Sequence, residues 1–237
     1  MNLLLLDYDG TISPIDADED NAYPPKEVLE AIMQARSKSI IGIVSSKPCS
    51  FIMERVRGVD VYSCITGAEI IYENRSCVDM GLIEKQDTAV DMLNFIRMII
   101  RDERVKIEVK RTTTGLIAGF GIEWRHAEKP RELGKIIEKA KSYGMKVVLY
   151  ENEPFIDIFI SKEDKGSSIS FLRKVFKPDK VIFFGDSEND LPAFRQSDIS
   201  ILVLNGYNEH MRKATKVNEL VEFKKIGEMI LKYARYA

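Results

Sequence analysis

The sequence has little that would tie it to a membrane, a nucleic acid or an oxidising compartment. Of 237 residues only two are histidine and three cysteine, and the formal net charge is −2. So small an imbalance supplies no basic field for nucleic acid, and no such partner is expected. No apolar stretch reaches membrane-spanning length, so no membrane partner is expected either. The opening leucines follow no basic segment and precede acidic residues, which argues against a signal peptide. Cys49, Cys64 and Cys77 form an odd set without metal-ligand spacing. They are expected to be free thiols in a reducing compartment, hence the cytoplasm. His126 and His210 stand alone and read as surface or loop residues. What remains is a globular composition, 45% apolar and 30% charged, in a chain long enough for a core domain plus a smaller one.

The most informative stretch comes first. Leu3-Leu4-Leu5-Leu6 stops at Asp7-Tyr8-Asp9-Gly10-Thr11. A continuous apolar run suits a strand buried on both faces of a parallel sheet, and ligands of such sheets sit beyond the strands' carboxyl ends. Asp7 and Asp9 would stand at the mouth of a site, close enough to share a hard cation. A calcium loop of the EF-hand kind does not fit, because Thr11 to Ile15 lacks the alternating oxygen donors and terminal glutamate.

Further along, helical spacing follows Pro24-Pro25 (Val28, Leu29, Ile32, Met33). Ser39 to Val44 reads as the next buried strand, ending in Ser45-Ser46-Lys47. Val61 to Ile65 is a third strand, and Glu69 to Tyr72 one arm of a hairpin. The texture changes near Gly81. A helix, two strands (Val105 to Arg111, Leu116 to Trp124), a second helix and two more strands (Met145 to Tyr150, Phe155 to Ile160) make an αββαββ order. Charged and apolar residues alternate there, as in an open-faced antiparallel sheet. The cluster Lys110-Arg111 reads as a solvated hairpin, with Arg111 or Arg125 reaching an anionic substrate as the rival reading. After Ser161 the buried pattern resumes. Lys165 opens a helix. Val181 to Phe184 ends in Gly185-Asp186-Ser187-Glu188-Asn189-Asp190, Ile199 to Leu204 is the last core strand, and Glu219 to Tyr233 a closing helix. The expected fold is α/β: a Rossmann-like doubly wound parallel sheet over 1–81 and 158–237, with an inserted α+β cap over 82–157.

The order of these strand ends closely resembles the haloacid dehalogenase-like phosphatases. Asp7-Tyr8-Asp9-Gly10-Thr11 is similar to that family's first motif, Ser45 to its second, Lys165 to its third, and Gly185 to Asp190 to its fourth. The αββαββ insertion lies where the family's larger lid sits. The resemblance implies that Asp7 attacks phosphorus, giving an aspartyl-phosphate, while Asp9 serves as acid and then base. It implies that Mg²⁺ is held by Asp7, Asp9 (through its carbonyl), Asp186 and Asp190, the last as ligand or as support. Ser45, Ser46 and Lys165 would bind the phosphoryl oxygens, and Asn189 would touch phosphate or brace the site. Ser45-Ser46-Lys47 looks like the form found in mannosyl-3-phosphoglycerate phosphatases, whereas Asp7 to Ile15 is also similar to trehalose-phosphate phosphatases. Thr66-Gly67-Ala68 departs from the asparagine usual before this glycine.

The expected activity is therefore Mg²⁺-dependent hydrolysis of a small phosphorylated sugar or sugar acid, mannosyl-3-phosphoglycerate-like first. Phosphoglycolate or trehalose-phosphate hydrolysis, a phosphomutase or phosphotransferase using the same aspartate, and a non-enzymatic phosphosugar-binding protein are the alternatives. Oligomeric state is not legible.

Overall fold

The computed structural model describes residues 1–17 and 19–235. The chain forms two compact units, Met1–Cys77 with Asp164–Ala237, and Val78–Glu163.

The first unit begins β1 (Leu3–Leu6), α1 (Lys26–Ala35), β2 (Ile40–Val44), α2 (Cys49–Arg55), β3 (Val61–Cys64), β4 (Glu69–Tyr72) and β5 (Arg75–Val78). The second unit holds α3 (Gly81–Glu84), α4 (Gln86–Ile99), β6 (Lys106–Arg111), β7 (Ile117–Glu123), α5 (Leu133–Ser142), β8 (Lys146–Leu149) and β9 (Phe155–Phe159). The first then resumes with α6 (Lys165–Phe176), β10 (Val181–Gly185), α7 (Leu191–Gln196), β11 (Ile199–Leu204), α8 (Met211–Ala214), β12 (Glu219–Glu222) and α9 (Ile226–Ala234).

The eight strands of the first unit run in the order β12-β11-β10-β1-β2-β3-β4-β5. Neighbours from β12 to β3 are parallel, and β4 turns antiparallel to β3. All four leucines of β1 are fully buried, which requires helices on both faces. Leu3 and Leu5 pack with Val44, Ile169, Leu172, Phe183 and Phe194 on one side. On the other, the Phe184 ring meets Tyr233 of α9 edge-on. This is the doubly wound parallel sheet expected from the apolar runs.

The second unit is a four-stranded antiparallel sheet in the order β6-β7-β9-β8. Its core includes Ala89, Met92 and Ile96 of α4 and Ile136 and Ala140 of α5, with Phe120, Ile122 and Ile158 of the sheet. The αββαββ order is thus observed.

Two expectations fail. Glu219 does not begin the closing helix: Glu219–Glu222 is a strand paired parallel to β11, and the helix starts at Ile226. Only Val221 of that strand is buried, so its sequence carries little strand signal. Nor are all three cysteines free. Cys49 and Cys64 form a disulfide, with Cα atoms 5.3 Å apart, and only Cys77 is a free thiol. The reducing compartment inferred from three thiols loses that support.

Candidate functional site

The site follows from strand direction. The chain runs β1, β2, β3 outward on one side of β1 and β10, β11, β12 on the other. A crevice opens where the order reverses, at the carboxyl ends of β1 and β10. Asp7 follows β1 and Asp186 follows β10, and the Asp7 amide donates to the Phe184 carbonyl at 2.8 Å. Parallel pairing brings Ser45, after β2, and Asn205, after β11, to the same edge.

Lys165 enters from α6. Asp164 and Ser167 form a reciprocal capping box, which fixes where the helix starts and so where Lys165 emerges. Its Nζ donates to Asp7 Oδ1 at 2.7 Å and to Asp190 Oδ1 at 2.6 Å, with no exposure to solvent. The other oxygen of Asp190 accepts from the amides of Asp186 (2.9 Å) and Ser187 (3.0 Å). Asp190 therefore orients both Lys165 and the backbone of its neighbour carboxylate. Gly185 must be glycine here, since a Cβ would meet Asp190 Cγ at 2.6 Å.

One oxygen each of Asp7, Asp186 and Asp190 lies within 4.8 Å of the others, all three residues buried. Three carboxyl groups against one ammonium concentrate negative charge in a buried pocket, a costly arrangement without a further counter-charge. Hard oxygen donors and that excess suit a divalent cation of the Mg²⁺ kind. Burial and the charge of Asp190 push the Asp7 carboxyl up to about 7, against the opposing pull of Lys165. Burial disfavours the Lys165 ammonium, but Asp190 and Asp7 outweigh it and hold its pKa above the ordinary lysine value.

The Asp9 side chain stands apart from this cluster, partly exposed, with Lys47 Nζ 3.9 Å from its Oδ2. Gly10 lets the chain turn between them. It has φ +73°, and a Cβ there would overlap Asp186 Oδ2 at 2.1 Å. Ser45 is buried and its Oγ accepts from the Lys47 amide at 3.1 Å. Ser46 is half-buried in the same loop. Asn189 accepts from Ser187 Oγ at 3.2 Å.

Sequence reading passed over the residues that hold Asp186. Thr11 Oγ1 donates to its Oδ1 at 3.2 Å and Asn205 Nδ2 to its Oδ2 at 2.7 Å. Asn208 Nδ2 donates to the Asp186 carbonyl at 2.8 Å, and its own side-chain oxygen accepts from the Asn205 amide. Asn205-Gly206 after an apolar strand reads as an ordinary turn; only its place at a loaded sheet edge marks it. Lys110 also departs from expectation. It is 2% exposed, 3.1 Å from Glu108 and 3.2 Å from Asp157, so it is no solvated hairpin residue. Asp157 reaches it from β9, a partner that local pattern cannot supply. Arg111 is exposed and donates to the Gly115 carbonyl, and Arg125 pairs with Glu123.

Comparison with known proteins points the same way. A family model described as haloacid dehalogenase-like hydrolase matches residues 122–223. A trehalose-6-phosphate phosphatase-related protein of Thermoplasma acidophilum is 24% identical over 96% of each chain. A trehalose 6-phosphate phosphatase of Zea mays is 25% identical over 81% of this chain and 58% of its own. Among solved structures, a trehalose-6-phosphate phosphatase-related protein matches with TM-score 0.76 at 20% identity, over 99% and 97% of the two chains. A subclass IIB sugar phosphatase of the haloacid dehalogenase superfamily matches with TM-score 0.62 at 15% identity, over 100% and 98%. The family match thus covers part of the chain, residues 122–223, while the likeness in fold to these solved structures runs over nearly its whole length.

Proposed function

We propose that the protein is a Mg²⁺-dependent phosphatase of small phosphorylated sugars, working through an aspartyl-phosphate on Asp7. The observation that carries this reading is Lys165 Nζ, fully buried between Asp7 and Asp190 with Asp186 alongside. Residues from distant parts of the chain meet as a nucleophile, a fixed cation and an acidic cluster. Nothing in the packing of a sheet requires them together.

A phosphate monoester resists hydrolysis, so the site must supply a nucleophile, charge neutralisation and a proton. The Asp7 carboxylate would form the new bond to phosphorus as the ester P–O bond breaks. Asp9, beside rather than within the buried cluster, would protonate the departing alkoxide. It would then take a proton from the water that cleaves the acyl phosphate and frees Asp7. Lys165, the Ser45 hydroxyl and the Ser46 amide would bind the phosphoryl oxygens, with Asn189 bracing them. Mg²⁺, held by Asp7, the Asp9 carbonyl and Asp186, would supply charge neutralisation at the phosphoryl group. Asp190 would serve chiefly to orient Lys165, since both its oxygens are already engaged.

The relatives favour a trehalose 6-phosphate-like substrate. A phosphoglycerate-type substrate remains the second reading, because Lys47 sets a cation beside Asp9 where an anionic leaving group would depart. Hydrolysis of trehalose 6-phosphate, mannosyl-3-phosphoglycerate and p-nitrophenyl phosphate, each with and without Mg²⁺, tests both. The expected result is Mg²⁺-dependent release of phosphate with the highest kcat/KM on trehalose 6-phosphate. Preference for the phosphoglycerate ester would select the second reading, and no turnover of any ester would refute both.

Asn205→Ala should weaken Mg²⁺ binding about 10- to 100-fold, the usual effect of losing a residue that orients a metal ligand. Calorimetric titration of Mg²⁺ into the metal-free variant checks this. An affinity equal to the parent's would remove Asn205 from the account.

A further inference from the structure

The Cys49–Cys64 disulfide lies at the phosphoryl-binding loop. Cys49 opens α2 four residues after Ser45, and Cys64 ends β3, the strand paired with β2. Both residues are buried. Three backbone hydrogen bonds join the two segments beside the bridge: Ser45 N to Ser63 O (2.8 Å), Ile65 N to Lys47 O (3.0 Å) and Thr66 N to Ser45 O (3.0 Å). The residues that make the last two are unusual. Ile65 has φ 49° and Thr66 φ 57°, left-handed backbone at two β-branched side chains. Such residues keep that conformation only where their surroundings impose it. The bridge immediately precedes them and ties them to the chain that bears Ser45, Ser46 and Lys47.

We propose that Cys49 and Cys64 form a dithiol/disulfide pair whose oxidised state holds the Ser45–Lys47 loop in its phosphate-binding shape. The proposal rests on the phosphatase reading given above. Opening the bridge takes two electrons and two protons from a dithiol reductant. One reductant thiolate attacks a cysteine sulfur, the S–S bond breaks, and the other cysteine leaves as thiolate and is protonated. The reductant's second thiol then displaces the first cysteine, closing the reductant's own disulfide. A low-molecular-weight disulfide such as oxidised glutathione reverses the sequence. Because both cysteines are buried, exchange proceeds through local opening of the 64–67 turn.

The test compares the full-length protein after oxidation with oxidised glutathione and after reduction with dithiothreitol, the state being read as a mass difference of two hydrogens. Inorganic phosphate is titrated in the presence of Mg²⁺, and p-nitrophenyl phosphate kinetics are measured where circular dichroism shows both forms folded. On reduction, the phosphate Kd and the KM should rise about 3- to 10-fold, as expected for lost preorganisation, with kcat nearly unchanged. Reoxidation should restore both. The double variant Cys49→Ala/Cys64→Ala should match the reduced form under either treatment, while Cys77→Ala responds like the parent. A bridge that merely stabilises the fold would lower Tm and leave phosphate Kd and KM equal in the two forms, which would overturn the proposal alone. Absence of phosphate binding and of turnover in both forms would overturn the phosphatase reading and the proposal with it.

Discussion

Asp7→Asn is expected to lower phosphatase activity by more than about 10⁴-fold, because removal of a nucleophile eliminates the covalent route rather than weakening it. The substitution keeps the size and shape of the side chain, so the loss should come without unfolding. Thermal stability supplies the control. In the metal-free protein the Asp7 carboxyl is pushed up to about 7 by burial and by Asp190. A carboxyl that binds its proton more tightly in the folded chain than in the unfolded one stabilises the fold most below about pH 4. That contribution is withdrawn as the pH climbs through about 7. The neutral amide does not titrate, so metal-free Asp7→Asn should lose less stability than the parent between pH 4 and 7. Mg²⁺ should stabilise the parent far more than the variant. Activity retained by Asp7→Asn would remove Asp7 as nucleophile.

Lys165→Met is expected to have the largest effect on stability. It takes away the ammonium bonded to both Asp7 and Asp190 and leaves their carboxyl groups facing each other in a buried pocket. Breaking a buried ion pair from one side typically costs about 3–5 kcal/mol. Without the ammonium that lowers it, the buried Asp7 carboxyl binds its proton still more tightly in the folded chain, so the cost should be greater at pH 8 than at pH 5. Urea unfolding of the metal-free variant and parent at the two pH values checks the sign. An equal deficit at both would mean that packing, and not charge, is what Lys165 supplies. Activity should fall as well, because the same ammonium would neutralise the phosphoryl oxygens.

The sequence is legible where long-range structure is already encoded locally. The apolar runs Leu3 to Leu6 and Val181 to Phe184 suit strands buried on both faces, and a parallel sheet brings their carboxyl ends to one edge. Asp7 and Asp186 therefore fall side by side, where β1 pairs parallel with β10. The pattern fails where a partner comes from far away and leaves no local trace. Asn205 and Asn208 carry no local mark of a role until the fold sets them against Asp186. Lys110 sits in a strand whose alternation promised a solvated face, yet Asp157, 47 positions later, buries it with Glu108. Cys49 and Cys64 have no motif spacing, and only the pairing of β2 with β3 brings them together. Glu219–Glu222 is an edge strand with a single buried side chain, too faint a pattern to compete with the helix that follows.

The most direct measurement is a crystal structure of the protein grown with Mg²⁺ and orthovanadate. Octahedral oxygen coordination of one ion by the Asp7 and Asp186 carboxylates is the predicted result, with vanadium on the remaining Asp7 oxygen and Lys165 within hydrogen-bonding distance of the vanadate. An ion bound elsewhere, or vanadate that ignores Asp7, would contradict the account at its base.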